Sequence, residues 1–119
     1  MFSMIDTRPH PVIPAEFNLA GHVLARDDAL SDKPALVILH PDRDEVIPYA
    51  RLRTLCLGCA AHLTSLGLTP GDRILMRLDS GLAFPVLFLG AIAAGLVPVP
   101  TSAALTASEV TRLADRVQP

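Results

Sequence analysis

Two cysteines are the residues of this chain whose spacing best matches a reactive or metal-binding site. Cys56 and Cys59 stand three positions apart, and the chain has no other cysteine. A redox pair places its first thiol at a helix N-terminus, where its pKa is lowered, and a zinc site needs two further ligands. The surrounding sequence instead places both cysteines in the middle of a helix. We interpret them as small apolar residues on a buried helix face.

The histidines and acidic residues show no spacing typical of catalysis or metal binding. No two histidines are four positions apart, and each is interpreted as a surface or half-buried side chain; they are His10, His22, His40 and His62. Solvation and helix capping account for the carboxylates at turns and element ends, which are Asp27, Asp28, Asp42, Asp44 and Glu45. The sequence therefore predicts no catalytic residue and no metal ligand in this chain.

Neither of the common phosphate-binding glycine motifs is present. The chain has no Gly-x-x-x-x-Gly-Lys-Ser/Thr, and no Gly-x-Gly-x-x-Gly follows a strand. The segment 67–71 is interpreted as a turn around Pro70, with no lysine or hydroxyl after it. We interpret Gly90 and Gly95 as small residues that let a helix lie close to a sheet. No cofactor is expected to bind to this chain alone.

The elements that would position a site alternate between helix and strand. Three prolines make residues 1–16 an extended arm, and Pro98 and Pro100 predict that the last strand is short or lies at a sheet edge. The alternation predicts an α/β fold with mostly parallel strands and right-handed crossovers. Helices are predicted from Asn18 to about Leu30, at 49–66, from Asp79 to about Ala94 and from Thr106; strands are predicted at 35–39, 45–47, 73–78 and 97–100.

Composition limits the partners that the chain can have. With 119 residues it can hold one core, and its net charge of -2 offers no excess of positive charge to a nucleic acid. Half of the residues are hydrophobic and 18% are charged. This hydrophobic content is high for a domain whose whole surface faces water. We expect part of its apolar surface to contact more protein.

The long apolar run at 82–99 is predicted to be a buried helix followed by a buried strand. No charged residue occurs between Asp79 and Glu109, but Pro85, Gly95 and Pro98 interrupt the run, whereas a membrane-spanning helix needs about 20 continuous apolar residues. The N-terminal residues lack the basic start and apolar core of a secretory signal. The sequence therefore predicts no membrane span and predicts a cytoplasmic location.

Four stretches resemble N-terminal landmarks of the adenylate-forming enzymes, the AMP-dependent synthetases and ligases, and follow one another in the same order as in that family. The clearest is 88–100, which is similar to the place where a small-residue helix of that family runs into a strand ending in Val-Pro. The resemblance covers residues 17–119, and segment 14–20 is similar to the benzoate-CoA ligase branch. The four stretches are Asp32–Leu36, Tyr49–Leu52, Gly67–Ile74 and Phe88–Pro100.

The resemblance implies an acyl-CoA synthetase, which joins a carboxylate to AMP from ATP, releases pyrophosphate and passes the acyl group to coenzyme A. It implies ATP, Mg²⁺ and coenzyme A for a complete family member. In the family, the phosphate loop, the acidic residues for Mg²⁺ and ribose, and a lysine of the C-terminal domain lie downstream of this region. Residues 17–119 are therefore expected to be an incomplete N-terminal α/β domain, inactive alone, whose partner is the remainder of the synthetase or another protein.

Two positions depart from the family pattern, and one alternative stays open. Pro48 stands where the family usually has Thr or Ser before Tyr49, and Ala93 stands where several relatives carry a cation that can meet a coenzyme A phosphate. The second departure leaves the thiol acceptor open. The alternative is a free-standing flavodoxin-like binding or interaction module, which would bury residues 82–99 within itself, whereas a synthetase segment would leave one flank exposed.

Overall fold

The computed structural model describes residues 9, 12–24 and 28–119, and the α/β fold class is confirmed there. Residue 9 and residues 12–18 form neither helix nor strand, and residues 1–8, 10 and 11 of the predicted arm lie outside the described residues. The elements in chain order are α1 (Leu19–Leu24), a 3₁₀ turn (Asp28–Leu30), β1 (Pro34–Leu39), β2 (Asp44–Pro48), α2 (Tyr49–Ser65), β3 (Arg73–Arg77), α3 (Ala83–Ala93), β4 (Val97–Thr101) and α4 (Ala107–Val117).

The strands form one antiparallel pair and one parallel pair. A tight turn joins β1 to β2 and forces them antiparallel, whereas α3 gives β3 and β4 the long crossover that parallel strands require. In the hairpin, Leu36 is opposite Ile47, and Val37 is opposite Val46. Because alternate residues face opposite sides of a strand, one face carries Leu36 and Ile47 into the core and the other carries Val37 and Val46 outward.

The parallel pair explains how a strand can contain two prolines. Val97 N–H donates to the Asp72 carbonyl at 2.8 Å, so the odd-numbered residues of β4 direct their backbone groups toward β3. Pro98 and Pro100 occupy the alternate positions, where an N–H would point away from β3. The strand is five residues long and, within the described part, pairs on one side only. Its predicted short, edge position is confirmed.

Helix α1 is capped by Asn18, as its residue type predicts. The Asn18 side-chain oxygen accepts a hydrogen bond from Gly21 N–H at 3.0 Å, and its amide nitrogen donates to the Ile92 carbonyl at 2.7 Å. The prediction that this helix runs to about Leu30 is wrong, because helix α1 ends at Leu24 and Leu30 lies in the separate 3₁₀ turn. Asn18 therefore joins the start of α1 to the last turn of α3.

Helix α2 begins without a side-chain cap because Pro48 occupies the N-cap position. The first amides of the helix find backbone partners instead: Tyr49 N–H donates to the Lys33 carbonyl, and Ala50 N–H donates to the Ser31 carbonyl, both at 3.0 Å. Carbonyls of the loop before β1 thus satisfy the first amides of α2 in place of a side-chain cap.

Helix α3 packs against α2, and the interpretation of Gly90 is corrected by this contact. We expected Gly90 to let its helix approach a sheet, but a Cβ on Gly90 would lie 2.9 Å from Cys59 Sγ and 3.0 Å from the Cys56 carbonyl, both on α2. The glycine faces a helix because α3 covers α2 as well as the sheet. Both core clusters include α2 and α3 residues; their buried members are Ala20, Leu24, Ile47, Leu52, Cys56, Leu63, Ala91 and Leu96.

The end of α3 is set by Gly95, which adopts a positive φ of 76°. Gly95 N–H donates to the Ile92 carbonyl, and Leu96 N–H donates to the Ala91 carbonyl, which is the Schellman arrangement. A Cβ on Gly95 would lie 3.1 Å from Pro70 Cβ. The interpretation of Gly95 is therefore also corrected, since it approaches the turn before β3 rather than the sheet itself.

Helix α4 lies on the face of the parallel pair opposite α2 and α3. Ile74 faces the α2–α3 core, whereas Arg73 and Arg77, at the alternate positions, bond to carbonyls of Val117 and Ala103 at 3.0 and 3.2 Å. Helix α4 follows Thr106, where it was predicted to begin, and Glu109 accepts hydrogen bonds from the Thr106 N–H and hydroxyl in a capping box. These bonds lower the pKa of the Glu109 carboxyl.

In the described residues no helix is both long and apolar enough to cross a membrane.

Candidate functional site

A cleft of about 650 Å³ opens at the carboxyl ends of β3 and β4. One wall is formed by segment 78–81 with Phe84 and Pro85, and the other by segment 101–104. The helices that follow the two strands leave on opposite faces of the sheet. In open α/β sheets, the crevice outside the carboxyl ends of such strands is the usual ligand-binding place.

The polar groups of this cleft are mostly used to hold its walls. Thr101 donates its hydroxyl proton to the Met76 carbonyl at 2.9 Å, and the Ser102 hydroxyl accepts from Ala104 N–H at 3.2 Å. Arg77 also points into segment 103–105, where its guanidinium donates to the Ala103 and Leu105 carbonyls. This guanidinium therefore shapes the loop after β4 rather than serving as a free cation.

The remaining chemistry of the cleft is one carboxylate, one hydroxyl and a helix end. Asp79 and Ser80 are exposed, and α3 begins beside them with no acidic residue in its first turn, so its positive end is not offset by a carboxylate of that turn. No nucleophile in this cleft is hydrogen-bonded to a base. The arrangement can contact a ligand, but it offers no pair of groups for acid–base catalysis.

This cleft was not predicted from the sequence, although a signal for it was present. Asp79, Ser80 and Ser102 each follow a strand of the predicted parallel pair, and the carboxyl ends of parallel strands meet at one edge. Which of these side chains face each other depends on the strand register, which the sequence pattern does not specify.

Cys56 and Cys59 lie on the buried side of α2, as predicted. Cys56 is fully buried, and Cys59 is half-buried against Gly90. Burial raises the pKa of the Cys56 thiol to about 11, with a smaller contribution from the nearby Cys59, and burial also raises the pKa of Cys59. Both thiols are therefore held in the protonated, weakly nucleophilic form at neutral pH.

The histidines that the structure describes are separated from one another. His22 lies beside the Phe17 ring with a centroid distance of 5.4 Å, His40 Nε2 is 3.7 Å from a Glu45 carboxylate oxygen, and His62 is exposed on α2. His10 and Asp27 lie outside the described residues, as does the side chain of Asp28. Asp42 and Asp44 are exposed. Among the described residues, no group of three or more His, Cys, Asp or Glu could hold a metal ion.

A second cleft, of about 350 Å³, brings Ala93 near a cation from another helix. It lies between α1, α2 and the end of α3. Its lining includes Ala93, Asn18 and the exposed residue Arg53 of α2. Ala93, where the sequence lacks a cation, thus lines the same cleft as the guanidinium-bearing residue Arg53.

Comparison with known proteins assigns this architecture to a family. The sequence profile described as AMP-binding enzyme matches residues 25–119. The chain is 33% identical to the benzoate–CoA ligase of Thauera aromatica over 105 residues. This match covers 87% of this chain and 20% of that enzyme. It is 38% identical over 72 residues to the long-chain-fatty-acid–CoA ligase FadD13 of Mycobacterium tuberculosis, covering 60% of this chain and 14% of that enzyme.

A solved structure shows the same backbone arrangement. The benzoate CoA ligase of Burkholderia xenovorans LB400 superposes with a TM-score of 0.77 at 28% identity, over 87% of this chain and 20% of that one. The chain thus spans about a fifth or less of the length of these relatives. Profile, relatives and backbone agree, and the chain belongs to the AMP-binding, adenylate-forming enzyme family, to whose N-terminal part it corresponds.

Proposed function

We propose that this chain is an N-terminal scaffold segment of an ATP-dependent carboxylate–CoA ligase and supplies sheet and helices rather than reacting groups. The observation that carries the proposal is the match to a benzoate–CoA ligase over 87% of this chain but only 20% of that enzyme. The catalytic groups of the proposed enzyme would come from the remaining polypeptide.

The reacting groups of such an enzyme do not fit onto the residues described for this chain. No described group of three or more His, Cys, Asp or Glu could hold Mg²⁺, and the guanidinium of Arg77 donates to the carbonyls of Ala103 and Leu105. Stabilising the charge that develops on a transferring phosphate requires a cation or a cluster of donors aimed at it. We therefore assign no step of adenylate formation to this chain.

The exposure of the apolar run supports a synthetase segment over a free-standing flavodoxin-like module. Within residues 82–99, only Gly90, Ala91 and Leu96 are buried, and Val97 is 46% exposed. Helix α3 has no charged residue on any side, and a helix that is apolar all round belongs in the interior of a larger protein. Here its large side chains are only half-buried, so one flank is available to more protein.

An aromatic acid is the substrate class that we propose for the whole enzyme. The match to the Thauera enzyme covers 87% of the chain, and the match to the fatty-acid ligase covers 60%. The match to the Thauera enzyme is the longer one, so it includes more of the N-terminal region that family members acting on one class of substrate would share. A cytoplasmic location is proposed with it.

Coenzyme A is the proposed thiol acceptor, and Arg53 is its proposed contact in place of the missing cation at Ala93. Both residues line the same cleft, and a guanidinium binds phosphate by paired hydrogen bonds. A chimera carrying residues 17–119 in the Thauera benzoate–CoA ligase tests this. We expect Arg53→Ala to raise the KM for coenzyme A by about tenfold and to leave the KM for benzoate unchanged, since one charge-assisted hydrogen bond contributes about 1.5–3 kcal/mol. Arg51→Ala is the matched control, and an equal effect of both variants would argue against a role for Arg53.

The central test measures ATP-dependent pyrophosphate release with benzoate and other carboxylates. We expect residues 1–119 alone to show none, the Thauera enzyme to be active as a positive control, and the chimera to be active because the replaced segment is scaffold. Turnover by residues 1–119 alone would contradict the proposal. An inactive chimera that is folded would show that this segment cannot replace its counterpart.

The proposed division of the chain is an arm at 1–16 and an incomplete domain at 17–119. Among the described residues, Asn18 is the first with a hydrogen bond to a distant element, through the Ile92 carbonyl. Limited proteolysis should therefore cut before residue 17 first. Earlier cutting between 30 and 119 would contradict this division.

A further inference from the structure

The loop between β4 and α4 belongs to two parts of the molecule. Its residues 101–104 form one wall of the cleft at the carboxyl ends of β3 and β4, and α4 begins shortly afterwards at Ala107. The guanidinium of Arg77, on β3, donates through Nε to the Ala103 carbonyl at 3.2 Å and through Nη2 to the Leu105 carbonyl. One acceptor is therefore in the cleft wall, and the other is in the segment that leads into α4.

The two bonds from Arg77 restrain this loop more than a single bond would. A guanidinium is planar and its N–H groups point in fixed directions, so one guanidinium that binds two carbonyls also fixes them relative to each other. Within the loop, Leu105 N–H donates to the Ser102 carbonyl, and Ala104 N–H donates to the Ser102 hydroxyl, both at 3.2 Å. These internal bonds close a turn, and Arg77 holds the turn against β3.

Helix α4 has little apolar attachment to the rest of this chain. None of its residues is buried, and neither core cluster of the described residues includes one of them. A helix of 11 residues is marginal in water by itself, so its structure depends on how it is held. Two arginines of β3 supply bonds that hold it: Arg73 Nη1 donates to the Val117 carbonyl at the end of the helix, and Arg77 holds the segment before its start.

We propose that Arg77 couples the docking of α4 to the position of the cleft wall at 101–104. When α4 leaves the sheet, the Leu105 carbonyl moves away from Arg77, and a guanidinium that has lost one of its two acceptors holds the Ala103 carbonyl less firmly. Arg77 is thus a positioning residue for the cleft. A ligand that needs the ordered wall binds more weakly when α4 is released, because the two states then differ in affinity for it. This coupling goes beyond the proposed function and does not depend on it.

NMR spectroscopy of residues 1–119 can follow the two ends of this coupling separately. Amide hydrogen exchange at 111–117 reports how often α4 opens. The amide chemical shifts of Ala104 and Leu105 report the state of the wall, and a peptide of residues 100–106 gives their values in the absence of Arg77. Protected amides in α2 show that the core is folded in each variant.

A double-mutant cycle between Arg73 and Arg77 tests the proposal. We expect Arg73→Met to speed exchange in α4 by about fivefold, less than a buried charge-assisted bond would give, because this arginine is exposed. It should also move the Ala104 and Leu105 shifts toward the peptide values, although Arg73 does not touch the wall. Arg77→Met should move both shifts further. In the double variant, loss of Arg73 should speed exchange in α4 again but leave the wall shifts as they are in Arg77→Met.

The cycle distinguishes coupling through Arg77 from simple continuity of the chain. The two arginines are about 13 Å apart along the strand, so independent effects on the wall should add. Additive shifts in the double variant would show that the covalent loop alone connects α4 to the wall, and would overturn the proposal. Wall shifts that stay unchanged in Arg77→Met would overturn it as well.

Two further variants separate the geometry of Arg77 from its charge. Arg77→Lys keeps the charge but cannot form the two-pronged contact, so its wall shifts should lie between those of the unchanged chain and those of Arg77→Met. Unchanged shifts in Arg77→Lys would assign the effect to charge and contradict the proposed contact. If Arg77→Met loses the protected amides of α2, Arg77→Lys takes its place in the cycle. Arg112→Met, at an exposed position of α4, is the matched control and should change neither the wall shifts nor the exchange of α4.

Discussion

At the residue scale, the contact of Gly90 with Cys56 and Cys59 explains why α2 and α3 can pack closely. The glycine has no side chain, and the two cysteines fill the space on the opposite helix. Their spacing first suggested chemistry, but burial raises the pKa of both thiols. A pattern typical of reactive cysteines is here a pattern of small residues at a helix crossing.

Adding a methyl group at this contact should destabilise the protein. Gly90→Ala would place a Cβ 2.9 Å from Cys59 Sγ and 3.0 Å from a backbone carbonyl, so we expect urea unfolding to show a loss of about 1–3 kcal/mol. Gly58→Ala is the matched control on the exposed side of α2, with no atom within 4 Å, and should stabilise by up to about 1 kcal/mol. Equal effects would contradict the packing role of Gly90.

Alkaline pH should destabilise the fold through Cys56. Its folded pKa of about 11 exceeds the unfolded value, so its contribution is complete below pH about 8.5 and is lost as pH rises toward 11. We expect the free energy of unfolding to fall by on the order of 2–3 kcal/mol across this window. Cys56→Ala should start less stable but show a clearly smaller fall. An unchanged pH profile in that variant would assign the effect to another group.

At the element scale, the turns before β3 and after α3 hold the parallel pair in register. Gly71 N–H donates to the Gly95 carbonyl at 2.9 Å, and Pro70 lies against Gly95. Asp72 accepts hydrogen bonds from the Thr69 N–H and hydroxyl, which lower the pKa of its carboxyl. The Pro-Gly turn that sequence predicts thus also forms a contact with a glycine 25 residues later in the chain.

Two glycines with positive φ should respond differently to alanine. Gly67→Ala pays only the conformational cost of a left-handed residue, about 1–2 kcal/mol, since no atom lies within 4 Å of its Cβ position. Gly95→Ala pays this cost and also crowds Pro70 Cβ at 3.1 Å, so we expect a larger loss in thermal or urea unfolding. A variant with Gly95→Ala as stable as one with Gly67→Ala would contradict this contact.

At the scale of the whole molecule, apolar surface is left exposed on the hairpin. Val37, Leu39 and Val46 are 52%, 77% and 51% exposed on its outer face. Clusters of this kind mark contacts with further protein when they are rimmed by polar residues. Among the described residues, the hairpin and the half-buried α3 are two places where apolar side chains are exposed that the proposed larger enzyme would cover.

Polar substitution of the hairpin face should make residues 1–119 more soluble without loss of stability. Val37→Thr, Val46→Thr and Leu39→Lys keep strand-compatible residues at exposed positions. We expect the triple variant to aggregate less and to bind less of a hydrophobic dye, while its unfolding free energy changes by less than about 1 kcal/mol. In the Thauera chimera the same changes should lower the yield of active enzyme. A loss of stability in residues 1–119 itself would show that this face is already packed.

Local patterns predicted the elements of this chain well. The ends of α2 and α3 shortly before Gly67 and Gly95 and the start of α4 after Thr106 depend on a few adjacent residues, so the sequence alone contained them. The register of β3 and β4, the bonds of Arg73 and Arg77, and the contact of Gly90 with α2 join residues distant in sequence, and no local pattern encodes them.

The sequence by itself determined an α/β scaffold of the adenylate-forming family without a recognisable catalytic motif. Only the tertiary structure decided that Cys56 is buried, that a cleft opens between the ends of β3 and β4, and that the prolines of β4 stand at the positions directed away from β3. The physical reason is that propensity, capping and turns act over a few residues, whereas burial and strand pairing depend on which distant groups exclude water from one another.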